Sequence, residues 1–264
     1  SARSARGYGR IEALVRPAFA SLCGVAAQTP GDAERISALG ARSVTVCGNL
    51  KFDVTPAADR LVLGKQWRSS IGTRPVWLAA STREGEEPPI LEAWRQQRDS
   101  EALLVLVPRH PQRFNEVAEL LTKQGWCYQR RSIGLPTAET QVWLGDSMGE
   151  MAAYYALADL AFIGGSLLPL GGQNLIEAAA CGCPVIVGPH TFNFLQATED
   201  AIAAGAACRV ASGQELAEVV KRLLGDASAR ADMQAAAKAF SEAHQGATRR
   251  MLALIERWSG RAGC

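Results

Sequence analysis

Short, continuous apolar segments recur along this chain and alternate with longer amphipathic segments. Nine of the apolar segments have the length and composition of strands, at residues 23–27, 43–47, 76–80, 103–107, 127–131, 141–144, 160–163, 184–187 and 208–210. Helical patterns lie between them, at residues 32–38, 58–70, 90–98, 113–124, 149–158, 174–181 and 194–204. Strands that are apolar throughout are typical of a parallel sheet with helices on both faces. The alternation therefore predicts an α/β protein with a doubly wound parallel sheet.

The two ends of the chain depart from this alternation. Residues 7–22 predict one helix, which is followed by a strand and by a helix with Thr29 as its N-cap. Two long helices are expected between residues 214 and 258, with a break near Gly225 and Asp226. A stretch of about 40 residues is too short to build a core of its own. We therefore expect residues 1–40 to be the remnant of another domain and residues 41–264 to form one domain.

The composition narrows the possible functions. The chain has 264 residues and a net charge of +2, which gives no reason to expect a nucleic-acid partner. Its apolar runs are too short to cross a bilayer. The seven cysteines show no CxxC pair, and most lie in or beside apolar segments, as reduced core thiols do. We expect a reducing, cytoplasmic compartment and no metal site at Cys181 and Cys183, because further ligands are lacking nearby.

Residues 164–194 carry the strongest functional signal. Their loop contains four glycines that permit close backbone approach: Gly164, Gly165, Gly171 and Gly172. Asn174 is placed to cap the following helix, and Glu177 lies on the first turn of that helix. Loops at the carboxyl ends of parallel strands are ligand sites, and a helix N-terminus suits a phosphate. Because Glu177 is also placed to accept hydrogen bonds from ribose hydroxyls, this segment predicts a nucleotide-linked ligand.

Polar residues follow other predicted strands. Arg109 is a candidate contact for a phosphate or carboxylate, whereas His110 is expected to be a helix cap. Residues 145–150 predict a helix start with Ser147 or Asp146 as N-cap and Glu150 as the capping-box partner of Ser147, or else a loop that offers N–H groups to the ligand. Residues 81–87 fit either an anion site or an ordinary helix start. Lys51 is a candidate counter-charge.

Motifs of other nucleotide enzymes are absent from the sequence. No GxGxxG follows a first strand, which argues against a dinucleotide oxidoreductase. No GxxxxGK[ST] is present, which argues against a P-loop kinase or ATPase. No DxD-like pair supports a metal-dependent sugar-nucleotide site.

Five segments in a fixed order resemble one enzyme family. They are GNLKFD at 48–53, STREGEE at 81–87, LVPRHPQRF at 106–114, GDSMGEM at 145–151 and the glycine-rich segment at 164–194. This series resembles the 3-deoxy-D-manno-octulosonic acid (Kdo) transferases of lipopolysaccharide synthesis, and the resemblance covers nearly the whole chain. It implies the Rossmann-like C-terminal domain of a GT-B glycosyltransferase, with residues 1–40 left from the N-terminal acceptor domain.

The resemblance also implies an activity and its partners. Family members transfer Kdo from CMP-Kdo onto a lipid A precursor at the cytoplasmic face of the bacterial inner membrane, and a membrane surface is therefore an expected partner. The acceptor would bind through the missing domain. No cofactor and no metal are expected. Two basic pairs, Arg130-Arg131 and Arg249-Arg250, are candidate contacts with anionic lipid, although exposed arginines need no such role.

Site residues follow from the resemblance by matching each motif to this sequence. The implied CMP contacts are Pro108, Arg109, Met148, Gly149, Glu150, Asn174, Leu175, Ile176 and Glu177. The family often has histidine where this chain has Gln173. No residue matches the motif of the catalytic glutamate, which belongs to the N-terminal domain, so no general base is assigned. We therefore expect the donor-binding part of the enzyme, inactive by itself.

Two alternatives stay open at this point. The chain could be a nucleotide-binding module without catalytic function. It could also belong to a GT-B enzyme that uses another sugar nucleotide, such as a UDP-sugar, or to a sugar-nucleotide epimerase of similar architecture.

Overall fold

The computed structural model describes residues 2–97 and 101–260. In chain order, its helices are α1 (Ala2–Gly9), α2 (Glu12–Ala20), α3 (Pro30–Ala38), α4 (Ala58–Ile71), α5 (Glu87–Arg95), α6 (Phe114–Lys123), α7 (Met151–Leu157), α8 (Ile176–Ala180), α9 (Leu195–Ala203), α10 (Gly213–Gly225), α11 (Ala227–His244) and α12 (Ala247–Ser259). The strands are β1 (Val25–Ala27), β2 (Val44–Val46), β3 (Val76–Thr82), β4 (Leu103–Pro108), β5 (Tyr128–Arg130), β6 (Val142–Leu144), β7 (Leu160–Ile163), β8 (Val185–Val187) and β9 (Ala207–Arg209). Short 3₁₀ turns occupy Leu50–Asp53 and Pro111–Arg113.

The chain divides into two compact units. The first comprises Ser1–Val54 and Ala243–Cys264, and the second comprises Thr55–Glu242. In the first unit, β1 and β2 pair in parallel around the crossover helix α3. The hydroxyl of Thr29 accepts the N–H of Asp32 at 3.1 Å, which confirms the predicted cap of α3. The domain boundary expected near residue 40 stays a prediction.

The second unit is built on a seven-stranded parallel sheet in the order β5-β6-β4-β3-β7-β8-β9. Its central strands are apolar because both faces are covered. On one face, Leu104 and Leu106 pack in a core with residues of α5, α6 and α10. On the other face, the ring of Trp143 lies 5.1 Å from that of Trp67 and 5.8 Å from that of Tyr154. The predicted doubly wound α/β fold is confirmed.

The strand order defines where a ligand can enter. From β3 the chain passes to β4 on one side, and it later returns to β7 on the other side of β3. This reversal is the topological switch point, and the loops that leave the carboxyl ends of β3 and β7 diverge there. Because every pairing in the sheet is parallel, the loops after β4 and β6 leave at the same edge.

The nine predicted strands are all present, but two helix predictions are wrong. Residues 7–22 form parts of two helices, α1 and α2, which are separated by a turn at Arg10 and Ile11. Gly7 and Gly9 lower the helix propensity there. The C-terminal segment forms three helices, because a second break occurs at Gly246, whose φ is 89°. Residue 98, at the end of a predicted helix, lies outside the described residues.

Candidate functional site

The loop between β7 and α8 is folded back on its own backbone. A Cβ on Gly164 would stand 2.6 Å from the Cα of Thr82, so only glycine fits beside β3. The N–H of Gly172 donates to the carbonyl of Gly165 at 2.6 Å, and the N–H of Gln173 donates to that of Gly164 at 2.9 Å. These two N–H groups are therefore not available to a ligand.

The donors left open are further along the loop. The side-chain oxygen of Asn174 accepts the N–H of Ile176 at 3.1 Å, as a cap would, although α8 begins only at Ile176 and has five residues. The helix is shorter than the predicted 174–181. Within the described part of the chain, no acceptor is found for the backbone N–H groups of Asn174 and Leu175. These groups can bind an anion directly, without depending on the small dipole of so short a helix.

Glu177 is a half-buried carboxylate on the first turn of α8. No group in residues 2–97 or 101–260 donates a hydrogen bond to its side chain. Burial raises the pKa of Glu177 above its ordinary value of 4.5, while the positive charge of Arg109 acts in the opposite direction. A partly desolvated carboxylate without a donor is suited to accept hydroxyl groups of a ligand.

The backbone of Arg109 is held by a hydrogen bond, whereas its guanidinium makes no ion pair with the described residues. Its N–H donates to the carbonyl of Thr82 at 2.9 Å, beside the buried Pro108 at the end of β4. Its Nε donates to the side-chain oxygen of Gln173 at 3.3 Å. No described carboxylate lies within ion-pair distance of its guanidinium. His110, at the start of the next turn, is exposed and makes no capping bond through its side chain.

The loop after β6 is held by two acids. Asp146 accepts the Nε of Arg130 at 2.6 Å, and Glu150 accepts an Nη of Arg131 at 3.0 Å. The predicted capping box is wrong, because α7 begins at Met151 without a side-chain cap. Met148 is 57% exposed, and Gly149 has a φ of 75° with open space beside it. These two residues are the part of the loop that a ligand can reach.

Residues 145–149 read GDSMG, which also fits the G-x-S-x-G pattern of a hydrolase nucleophile elbow. The structure gives this serine different partners. The Ser147 hydroxyl donates to the carboxylate of Glu150 and lies 3.0 Å from the hydroxyl of Tyr154. No histidine of the described residues hydrogen-bonds it, so the arrangement does not support a serine nucleophile.

Two fully buried glutamates organise this sheet edge, and sequence reasoning missed them. Glu86 accepts the N–H groups of Gly165 at 2.6 Å and of Leu167 at 3.0 Å, as well as that of Arg83 at 2.9 Å. Glu87 accepts the hydroxyl of Thr82 at 2.6 Å and both terminal nitrogens of Arg113. Residues 81–87 therefore start a helix and also anchor the neighbouring loop of β7. An acidic pair before an apolar helix gives no sign of this second role.

The other candidate residues lie away from this sheet edge or already have partners within the chain. Lys51 is exposed on the 3₁₀ turn of the first unit. Arg131 packs over the ring of Trp67 at 4.9 Å in addition to its ion pair, and Arg250 donates to the carbonyl of Cys47 at 2.9 Å. Burial raises the pKa of the Cys181 thiol to about 12. Such a thiol is not poised for metal binding.

Two features are absent from residues 2–97 and 101–260. No group of three or more His, Cys, Asp or Glu side chains could hold a metal ion there. None of the helices described is both long and apolar enough to cross a membrane.

Comparison with known proteins points to one family. Residues 1–54 match the profile of 3-deoxy-D-manno-octulosonic-acid transferase (kdotransferase), and residues 126–240 match glycosyl transferases group 1. The 3-deoxy-D-manno-octulosonic acid transferase of Bordetella pertussis is 48% identical over 98% of this chain and 62% of its own length. That of Haemophilus influenzae is 38% identical over 97% of this chain and 62% of its own length.

A solved structure supports the same assignment. The crystal structure of the C-terminal CMP-Kdo binding domain of WaaA from Acinetobacter baumannii matches with a TM-score of 0.67 and 33% identity, over 70% of this chain and 98% of that domain. The parallel sheet and these matches define part of a glycosyltransferase of the GT-B class. Within that class, the chain belongs to the 3-deoxy-D-manno-octulosonic acid transferase family. It spans 62% of the length of the two enzymes compared above.

Proposed function

We propose that this chain is the donor-binding part of an enzyme that transfers Kdo from CMP-Kdo onto a lipid A precursor at the cytoplasmic face of the bacterial inner membrane. The observation that carries the proposal is the set of unsatisfied groups at one sheet edge. An unpaired guanidinium (Arg109), two open N–H groups (Asn174 and Leu175) and a carboxylate without a donor (Glu177) lie on adjoining loops. A nucleoside monophosphate offers a complementary anion and hydroxyl groups.

Each group has a role in this proposal. Arg109 and the N–H groups of Asn174 and Leu175 bind the phosphate, and they stabilise its charge when CMP departs. Glu177 accepts hydrogen bonds from the ribose hydroxyls. The remaining proposed contacts come from backbone or packing, since Pro108 and Ile176 are both buried and carry no charge.

The loop after β6 completes the proposed pocket. Met148 is exposed enough to pack against the nucleotide, and Gly149 leaves its backbone accessible. Glu150 is engaged by Arg131 and Ser147, so its side chain holds the loop and its backbone is the part offered to CMP. The proposal requires neither a metal nor a cofactor, because the arginine and the backbone donors supply the positive charge.

The general base and the acceptor site are proposed to belong to an N-terminal domain of the enzyme, of which residues 1–40 are a remnant. Residues 41–264 are proposed to form the donor domain. Association with a membrane surface is proposed from the family alone, since Arg130, Arg131 and Arg250 already have partners within this chain.

Calorimetric titration of the 264-residue chain with CMP tests the donor site. Saturable binding of CMP, with weaker binding of UDP in competition, is expected. A folded chain, as judged by circular dichroism, that gives no heat at millimolar CMP would refute the assignment. Stronger binding of UDP than of CMP would instead favour an enzyme that uses a UDP-sugar.

A transfer assay tests the catalytic part of the proposal. Labelled Kdo should reach the lipid acceptor when the N-terminal part of the enzyme is present with this chain, and not with this chain alone. Absence of transfer in both cases, with CMP binding intact, would support a nucleotide-binding module without catalysis.

A further inference from the structure

A second unpaired arginine, Arg83, lies at the switch point of the sheet. It stands on the loop after β3, and its backbone N–H is held by the carboxylate of Glu86. The side chain is half-buried. Its guanidinium makes no hydrogen bond or ion pair with any residue that the structure describes. A partly desolvated arginine without a partner is costly unless a ligand supplies the counter-charge.

Arg83 and Arg109 stand on adjoining stretches of backbone, because the N–H of Arg109 donates to the carbonyl of Thr82 at 2.9 Å. A Cβ built on Gly165 would stand 3.5 Å from the Cγ of Arg83 and 3.3 Å from the Nε2 of Gln173. The other end of the same amide accepts the Nε of Arg109 at 3.3 Å. Gly165, with a φ of 72°, leaves open the space that a larger residue would fill.

The acidic residues near Arg83 and Arg109 do not neutralise these two arginines. The carboxylate of Glu86 is saturated by three backbone N–H groups, and Glu84 is exposed on the turn. The positive charge of Arg109 acts on the pKa of Glu177, but the two side chains make no ion pair. Two arginines without ion pairs on adjoining loops favour the binding of anionic groups between those loops.

The backbone that carries Arg83 is unusual. Ser81 has a φ of 57°, and it is the only non-glycine residue with positive φ among those described. The pairing of β3 with β4 shifts at this residue, as in a β-bulge. Such irregularities occur beside ligand sites, where they redirect the chain at the end of a strand.

We propose that Arg83, together with the amide N–H of Gln173, binds the carboxylate of the donor sugar while Arg109 binds the phosphate. The proposal rests on the proposed function of this edge as the CMP-Kdo site. In a nucleotide-activated ulosonic acid, the carboxylate and the phosphate ester oxygen are bonded to the same anomeric carbon. The two negative groups are therefore adjacent, as are the backbone positions that carry the two arginines, and the subsite selects sugar acids over neutral sugars.

The test compares CMP with CMP-Kdo, and with CMP-N-acetylneuraminic acid as a second sugar acid, in calorimetric titrations of the 264-residue chain. Wild type should bind both sugar acids more tightly than CMP. Arg83→Gln should leave the CMP affinity unchanged and weaken the sugar acids about 10- to 100-fold, the loss expected for one charge-assisted hydrogen bond. Arg83→Lys should recover part of that loss, since it keeps the charge.

Two further variants serve as references. Arg109→Gln should weaken all three ligands, because the phosphate is common to them. Arg222→Gln, an exposed arginine on α10, should change none. Equal melting temperatures of the variants without ligand will show that the fold is retained.

The possible results separate this proposal from the one on which it rests. Equal loss of CMP and CMP-Kdo affinity in Arg83→Gln would place Arg83 at the phosphate and overturn the carboxylate subsite. No change for any ligand would remove Arg83 from the site. Wild-type binding of CMP and CMP-Kdo with equal affinity would overturn the subsite but leave the donor site standing. Failure of wild type to bind any of the three ligands would refute the donor site itself.

Discussion

At the scale of single residues, burial of the Glu177 carboxylate lowers the stability of the chain but prepares the side chain to bind a ligand. Its carboxylate is half-buried and has no hydrogen-bond donor among the described residues. Glu177→Ala removes the proposed acceptor of the ribose hydroxyls. We expect CMP affinity to fall about 10- to 100-fold, equivalent to one charged hydrogen bond. Calorimetry measures this, and Glu119→Ala, an exposed glutamate on α6, is the matched control. An unchanged affinity would exclude Glu177 from the site.

The raised pKa of Glu177 gives a second prediction, for the chain without ligand. Because the folded state raises this pKa, the stability contributed by the group is fully present below its ordinary value of 4.5 and is lost as the pH rises through the raised value. Glu177→Gln should therefore have a higher free energy of unfolding than wild type at pH 7, and the difference should vanish below pH 4.5. Urea denaturation at both pH values measures it. A less stable variant at pH 7 would show that the ionised form has a partner.

The same carboxylate gives a third prediction, for binding. Only ionised Glu177 accepts two hydroxyl donors, so CMP affinity should fall as the pH decreases through its raised pKa. The CMP phosphate itself titrates near pH 6. The ratio of wild-type to Glu177→Gln affinity removes that common effect and should decrease toward acid pH. A constant ratio across the titration would contradict the assigned role.

The positions of the site residues were easier to predict from the sequence than their hydrogen-bond partners. The sequence places Arg109, Asn174 and Glu177 at strand ends and helix starts, and the structure finds them there. It does not reveal that the N–H groups of Gly172 and Gln173 donate to the carbonyls of Gly165 and Gly164, respectively. Those hydrogen bonds depend on the three-dimensional geometry of the loop. The phosphate donors proposed from the structure, Asn174 and Leu175, therefore lie two and three residues beyond Gly172.

At the scale of elements, Glu86 joins the loop after β3 to the loop after β7. Glu86→Gln replaces one acceptor oxygen by an NH₂ group that faces backbone N–H donors. We expect the free energy of unfolding to fall by about 2–3 kcal/mol, because buried donors lose their acceptor. Urea denaturation measures the loss. Glu84→Gln, on the same turn but exposed, should have little effect. Equal stability of the two variants would show that the buried carboxylate does not anchor the loop.

The elements themselves follow closely from the pattern of apolar residues. All nine strands were predictable because continuous apolar runs between helical segments have few alternative structures. The helix ends were less predictable. Asp53 of the GNLKFD segment accepts the N–H of Gly246 at 2.6 Å and that of Thr248, and it thereby caps α12 nearly two hundred residues further along the chain. No local pattern reports such a cap, which is why the second C-terminal break was missed.

At the scale of the whole molecule, the two compact units should respond differently to the donor. All the proposed contacts lie within Thr55–Glu242. Bound CMP should therefore protect the loops of residues 81–87, 108–110, 145–150 and 164–177 from hydrogen exchange, with the amides of Asn174 and Leu175 changing most. Residues 2–54 should not change directly. Exchange measured peptide by peptide is preferable to one melting temperature, since a chain of two units need not unfold in a single step.

Mass action sets the size of that response. A ligand present at 100 times its Kd stabilises the state that binds it by about 2.7 kcal/mol, provided that the unfolded chain does not bind. Some amides of the second unit exchange only when that unit unfolds. For these amides, the free energy of exchange should increase by no more than this amount. UDP at the same concentration should protect the same loops less. Protection confined to the first unit, or equal protection by CMP and UDP, would contradict the placement of a CMP-specific site at the switch point.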